Sequence, residues 1–131
     1  MKLTAAVLSG LLLSSGAPSF AETNAPPGLG QAGAWVLPCA LLDKQIRVGK
    51  VAEGAEGIQA TLCLGVFTGI MAVNYISPPY LPFCIGDNDS TIDFVRIFLA
   101  FMAAHPEYRT KNFGLTVMVA LGQVHPKKEC S

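Results

Sequence analysis

Charge is scarce in this chain: nine Lys and Arg and nine Asp and Glu among 131 residues, with a formal net charge of zero. Without a basic excess or a basic patch, nucleic acid is not an expected partner. There is no Cys-x-x-Cys, so neither a thioredoxin-type redox site nor a zinc knuckle is indicated. A glycine-rich phosphate loop of Walker or dinucleotide type is also missing. Asp87-Asn88-Asp89 opens like a calcium loop, but Ile92 and Phe98 stand where that loop needs its glycine and its closing glutamate. The only histidines, His105 and His125, each precede a proline at the end of an apolar stretch. A helix C-terminus favours a cationic side chain, so both read as helix-end residues rather than catalytic bases. No period-two alternation and no internal repeat is present. These gaps leave a binding protein as the expectation, not an enzyme, with no cofactor and no metal.

What the chain does contain begins with an export signal. Met1-Lys2 gives a positive start, Leu3 to Leu13 an apolar run too short to span a bilayer, and Ser19-Phe20-Ala21 the small-residue pattern of a cleavage site. The expected order is a signal peptide over 1–21 cleaved after Ala21, a flexible lead-in over 22–32, and one helical domain over 33–131. The short positive start and the Ser-Phe-Ala site suit export to the periplasm. Losing Lys2 leaves eight basic against nine acidic residues, a mature charge of −1.

The run Ile58–Ile76 holds no charged residue and is long enough to cross a membrane, and Gly65-x-x-x-Gly69 matches a helix-packing motif. Gln59, Thr61, Thr68 and Asn74 interrupt it, its flanks lack a Lys/Arg asymmetry, and Cys63 would lie in hydrocarbon. It therefore reads as the core helix of a soluble bundle, with Gly65 and Gly69 letting another helix approach, and no membrane span is expected in the mature chain. Before it, Gly33 to about Arg47 has helical apolar spacing, starting near Pro38 or kinked there. After it, Ser90 with Asp93 predicts a capping box for a helix over Thr91–Ala104. Asn112 predicts the cap of a last helix, Phe113 to about Val124. The fold class is all-α, a small bundle of four main helices.

The third helix carries two adjoining apolar stripes. Ile92, Val95, Phe98, Leu99 and Met102 form one; Phe94, Ile97 and Phe101 form the other. Small domains have little interior to enclose both, which leaves two readings: a generous core with some apolar surface exposed, or a homodimer whose face is Phe94, Ile97 and Phe101. Four cysteines in a small exported chain read as two disulfides. The connector after the second helix can fold back along it, which predicts Cys63–Cys84 and leaves Cys39–Cys130.

The ordered set of a cysteine in the first helix, Cys63-x-Gly65-x-x-x-Gly69, Cys84 before an N-capped helix ending His105-Pro106-Glu107, then Ala120-Leu121, Pro126 and Cys130, resembles the Tai-type immunity proteins of type VI secretion. The likeness runs from Gly33 to Cys130; Val66, Gly86 and the stretched ending His125–Cys130 depart from the usual pattern. It implies a periplasmic homodimer, without chemistry of its own, that inhibits a secreted peptidoglycan amidase by occluding its active-site cleft with surface loops. Candidate loops are Val48–Gly57, Tyr80–Asp89 and Glu107–Lys111, with Tyr80, Leu81, Asp87, Glu107, Tyr108 and Arg109 as partner contacts. The alternatives are an acid-stress chaperone of the HdeA-like kind, whose wide apolar faces would hold clients, and a disulfide-stapled interaction module.

Overall fold

The computed structural model describes residues 28–76 and 81–127. The predicted signal peptide, most of the lead-in, Tyr80 and Cys130 lie outside them. Among the described residues four helices follow one another: α1 (Gly33–Val48), α2 (Gly54–Ile76), α3 (Thr91–Ala104) and α4 (Phe113–Val124). A 3-10 turn, Pro106–Thr110, joins α3 to α4. The all-α bundle expected from the sequence is what the chain forms.

The helix starts show how local chemistry sets boundaries. Ser90 accepts from the Asp93 amide while Asp93 reaches back to the Ser90 amide, a reciprocal capping box. Asn112 accepts from the Leu115 amide at the start of α4. The first helix starts differently. It begins at Gly33, not near Pro38, and runs through that proline, which cannot donate to the carbonyl four residues back. Ala32 offers no side-chain cap, so the backbone ahead of α1 is held tertiarily instead. The Ala32 amide donates to Lys111 O at 2.9 Å, the Phe113 amide to Gly30 O at 2.8 Å, and Trp35 Nε1 to Leu29 O at 2.8 Å. Composition assigned residues 28–32 to the flexible lead-in; these bonds make them part of the domain.

The centre of the bundle is α3, which touches α1, α2, α4 and the 3-10 turn. Phe98 on α3, Phe67 on α2 and Phe113 on α4 form an aromatic triangle with centroids 5.6–6.0 Å apart. Trp35 of α1 stacks on Phe113 at 4.9 Å. Such pairs contribute about 0.5–1.5 kcal/mol each beyond the area they bury. Surrounded on so many sides, α3 buries Val95, Phe98 and Met102 of one stripe and Phe94 and Phe101 of the other, while Ile92 and Leu99 are half-buried. Phe94 is fully buried and Phe101 is 7% exposed within the single chain. The sequence assigned Phe94, Ile97 and Phe101 to a dimer face; enclosure by four neighbouring elements withdraws Phe94 and Phe101 from it. Ile97 is half-buried.

The disulfide pairing also differs from expectation. Cys39 bonds to Cys63, pinning α1 to α2, so neither Cys63–Cys84 nor Cys39–Cys130 forms. The reason is helix packing: α1 folds back along α2 and brings the two Cα atoms to 5.2 Å, inside the range a disulfide bridges. Cys84 is disulfide-bonded as well, and its Sγ lies 3.6 Å from the carbonyls of Pro126 and Lys127. Its connector therefore folds toward the end of α4 rather than back along α2.

The largest departure concerns α2 itself. Its inward face of Ala60, Cys63 and Phe67 is buried, while the opposite face points outward. On it Ile58, Leu62 and Val73 are 65%, 52% and 49% exposed, and Leu64 on the flank is 43% exposed. Among the described residues, a Cβ placed on Gly65 or Gly69 would meet nothing within 4 Å, so no described helix packs there. Gly54–Val73 is long and apolar enough to cross a membrane, yet Cys63 and Phe67 belong to the shared core.

Candidate partner-binding surface

The three loops expected to meet a partner are held in different ways. Lys50–Glu53 is bracketed by Gly49 and Gly54, both with left-handed φ, of 67° and 63°. These are conformations that side-chain-bearing residues resist. Gly57 lies so close to Ala52 that a Cβ there would collide with the Ala52 carbonyl. This glycine set fixes the path of the loop. Val51 stands out at its tip, 87% exposed. Grooves of about 210 and 350 Å³ flank it, one against Leu41 and Val48 of α1, the other against Ile58 and Leu62 of α2.

The second loop is tied to the end of α4. The Cys84 amide donates to His125 O at 3.0 Å, and Phe83 pairs with Pro126 in an isolated antiparallel bridge. Phe83 is buried against Phe94, their rings 6.3 Å apart edge to face. Leu81 is buried, so it anchors the loop rather than meeting a partner. Asp87 is exposed on a turn closed by the Gly86 amide donating to Asp89 Oδ2 at 2.6 Å. Tyr80 is outside the described residues.

The third loop is the 3-10 turn. Its Tyr108 ring packs edge-on against Phe101 at 4.9 Å, and His105 lies over Phe101 at 4.5 Å. The Arg109 carbonyl lies where a Cβ on Gly33 would come within 2.9 Å, so the glycine permits α1 to start against the turn. Glu107 and Arg109 are exposed and Tyr108 is half-buried. His105 Nδ1 lies 3.1 Å from Glu107 Oε1. The Glu107 carboxyl is held below its ordinary range, first by its own backbone amide and then by His105.

The second and third loops do not form one surface along α4. One is bound to the C-terminus of that helix and the other to its N-terminus, and the twelve residues between them span about 18 Å at 1.5 Å per residue. Of the six predicted contacts, Glu107, Tyr108 and Arg109 come together, Asp87 stands apart, and Leu81 is withdrawn.

Both histidines end their helices with the backbone, not the ring. The His105 amide donates to Phe101 O and the His125 amide to Leu121 O, each at 2.8 Å. The rings lie on aromatic neighbours, Phe101 and Phe94. His125 Nδ1 is 3.8 Å from Asp89 Oδ2.

One polar node had no counterpart in the sequence reading. Asp43, buried on α1, receives Arg47 at 2.7 Å and Arg96 of α3 at 2.8 Å. Burial pushes its carboxyl up, but the hydrogen bonds and charges of Arg96 and Arg47 outweigh this and the net shift is downward. Asp93 is lowered too, chiefly by the Ser90 hydroxyl and amide. Both groups bind protons less readily folded than at their ordinary value of 3.8. Their contribution to stability is therefore complete above about pH 4 and is lost as pH falls through the lower folded values. The melting temperature is expected to fall more steeply below pH 4 in the wild type than in Asp43→Asn, as followed by circular dichroism. Equal slopes would remove Asp43 as a source of acid sensitivity.

Among the described residues, no group of three or more His, Cys, Asp and Glu side chains is placed to hold a metal ion. No protein-family model, curated protein or solved structure matches the chain.

Proposed function

We propose that this chain is a periplasmic immunity protein that binds a type VI secreted peptidoglycan amidase and occludes its active-site cleft. The observation that carries the reading is the Pro106–Thr110 turn. It presents Glu107 and Arg109 to solvent while Gly33, Phe101 and the start of α4 fix its backbone from behind. A loop already held in one shape loses little freedom on entering a cleft, which is how a small inhibitor keeps its affinity. Arginine is also a residue type enriched at binding hot spots. The bond from α1 to α2 and the ordered set of sequence motifs support the same reading.

Arg109→Glu is expected to weaken inhibition of a cognate amidase at least tenfold, the size of loss seen when a central contact is removed, with an unchanged melting temperature. The assay is peptidoglycan hydrolysis by a type VI secreted amidase that co-purifies with the wild-type chain or is encoded by a neighbouring gene. Full inhibition by both Arg109→Glu and Glu107→Lys would move the contact off this turn. Failure of the wild type to bind or inhibit that enzyme would end the reading.

The exposed apolar face of α2 favours a second reading, an acid-stress chaperone that holds clients on that face. Suppression of aggregation of unrelated proteins at acidic pH, without amidase binding, would put this reading in place of the first.

A further inference from the structure

We infer that the recess between the end of α1, the Lys50–Glu53 loop and the first turn of α2 binds a short aliphatic carboxylate, free or as the last residue of a peptide. The inference does not rest on the inhibitor reading, and its test involves no amidase.

The recess is built before any ligand arrives. Gly49 and Gly54 bracket the loop with left-handed φ of 67° and 63°, and Gly57 packs against the Ala52 carbonyl. Leu41 and Val48 on one side, and Val51 and Ala52 on the other, give apolar walls around about 210 Å³. At about 30 Å³ for each water-sized group, that space takes roughly seven non-hydrogen atoms. A branched five-carbon tail fills it, whereas a long acyl chain does not fit. Walls already in place keep the ordering cost of so small a ligand low.

Apolar walls alone would not name an occupant; the charged groups do. Lys44 and Lys50 line the recess, are exposed, and make no ion pair among the described residues. Glu56 is the acidic residue of the described lining, so the cations outnumber it. Each ammonium can donate a charge-assisted hydrogen bond to a carboxylate, stronger than one to a neutral acceptor. The Gln45 carbonyl, an acceptor that would repel an anion, is already covered by the Gly49 and Lys50 amides at 2.9 and 3.3 Å.

A second observation points the same way. Gln45 also lines the recess, and its Nε2 is out of reach of water with no hydrogen-bond partner among the described residues. A buried donor left unpaired is destabilising. The terminal torsion of glutamine is soft, so a small turn of the amide brings this donor to a carboxylate oxygen held by the two lysines.

Titration of the disulfide-bonded chain with isocaproate, followed by proton–nitrogen NMR correlation spectra, is expected to give a dissociation constant on the order of 1 mM. The Gln45 side-chain amide and the backbone amides of Val48–Ala52 should shift, and those of the Pro106–Thr110 turn should not. Lys44→Gln/Lys50→Gln should weaken binding at least tenfold with the other signals in place. Isocaproamide, the neutral isostere, should bind the wild type at least tenfold more weakly, a comparison that needs no variant. An acetylated tripeptide ending in leucine separates the two sources of the carboxylate. Tighter binding than isocaproate assigns the recess to a chain terminus, and weaker binding to a free acid. No shift with either carboxylate at about 20 mM, equal binding of isocaproamide, or unchanged binding in the lysine variant would overturn the inference. So would acetate binding as tightly as isocaproate, which would leave the apolar walls without a role.

Discussion

Replacing Cys39 and Cys63 together with alanine is expected to lower stability by about 3 kcal/mol, the loop-closure value for their separation of 24 residues. For a domain of this size that is a fall of roughly 15 °C in melting temperature. Both sulfurs lie at fully buried positions. Alanine leaves no unpaired polar group there, so the loss reports the cross-link more than a packing defect. Substituting both cysteines matters, because a single replacement frees a thiol that can attack the disulfide at Cys84. Urea unfolding measures the loss, and a non-reducing peptide map should recover Cys39 and Cys63 in one linked product. A map joining Cys63 to Cys84, or a double variant that unfolds at the wild-type denaturant concentration, would refute the pairing.

The same cysteines show why pairing was not legible beforehand. Cys63–Cys84 would close a separation of 84 − 63 = 21 residues and Cys39–Cys63 closes 24. Loop entropy separates these by only about 0.1 kcal/mol. The choice rests on α1 folding back along α2, a tertiary event that the spacing does not record. Helix boundaries set by short-range chemistry were readable. The Ser90–Asp93 box, the Asn112 cap and the His-Pro pairs that end α3 and α4 act within a few residues. The start of α1 was not, because Gly33 begins a helix through contacts with Arg109 and Lys111, far along the chain. The Asp43–Arg96 pair joins two helices and was invisible for the same reason.

The candidate surface divides similarly. Glu107 and Arg109 are exposed, as a polar turn suggests, but the burial of Leu81 follows from its connector packing on α4. The run without charge misled most. Lack of charge measures what a helix can tolerate, not what covers it. Ranked by apolarity, α2 should be central; ranked by neighbours, α3 is central and α2 lies outside with one face in the core.

That placement predicts a sharp contrast between two residues three apart on α2. Phe67→Ala is expected to cost about 3–5 kcal/mol, as for other buried phenylalanines. Its ring is fully enclosed and meets Phe98 at 5.7 Å and Phe113 at 6.0 Å, so its loss opens a cavity where α2, α3 and α4 converge. Leu64→Ala should change stability by no more than about 0.5 kcal/mol, the usual range for an exposed site. Leucine and alanine differ little in helix propensity, so the contrast reports burial and not the intrinsic preference of the helix. Phe67→Ala removes a large part of the roughly 5–15 kcal/mol typical of a folded domain, and its urea midpoint should fall accordingly. Equal losses at the two positions would mean that α2 is enclosed on both sides and would refute its one-faced packing.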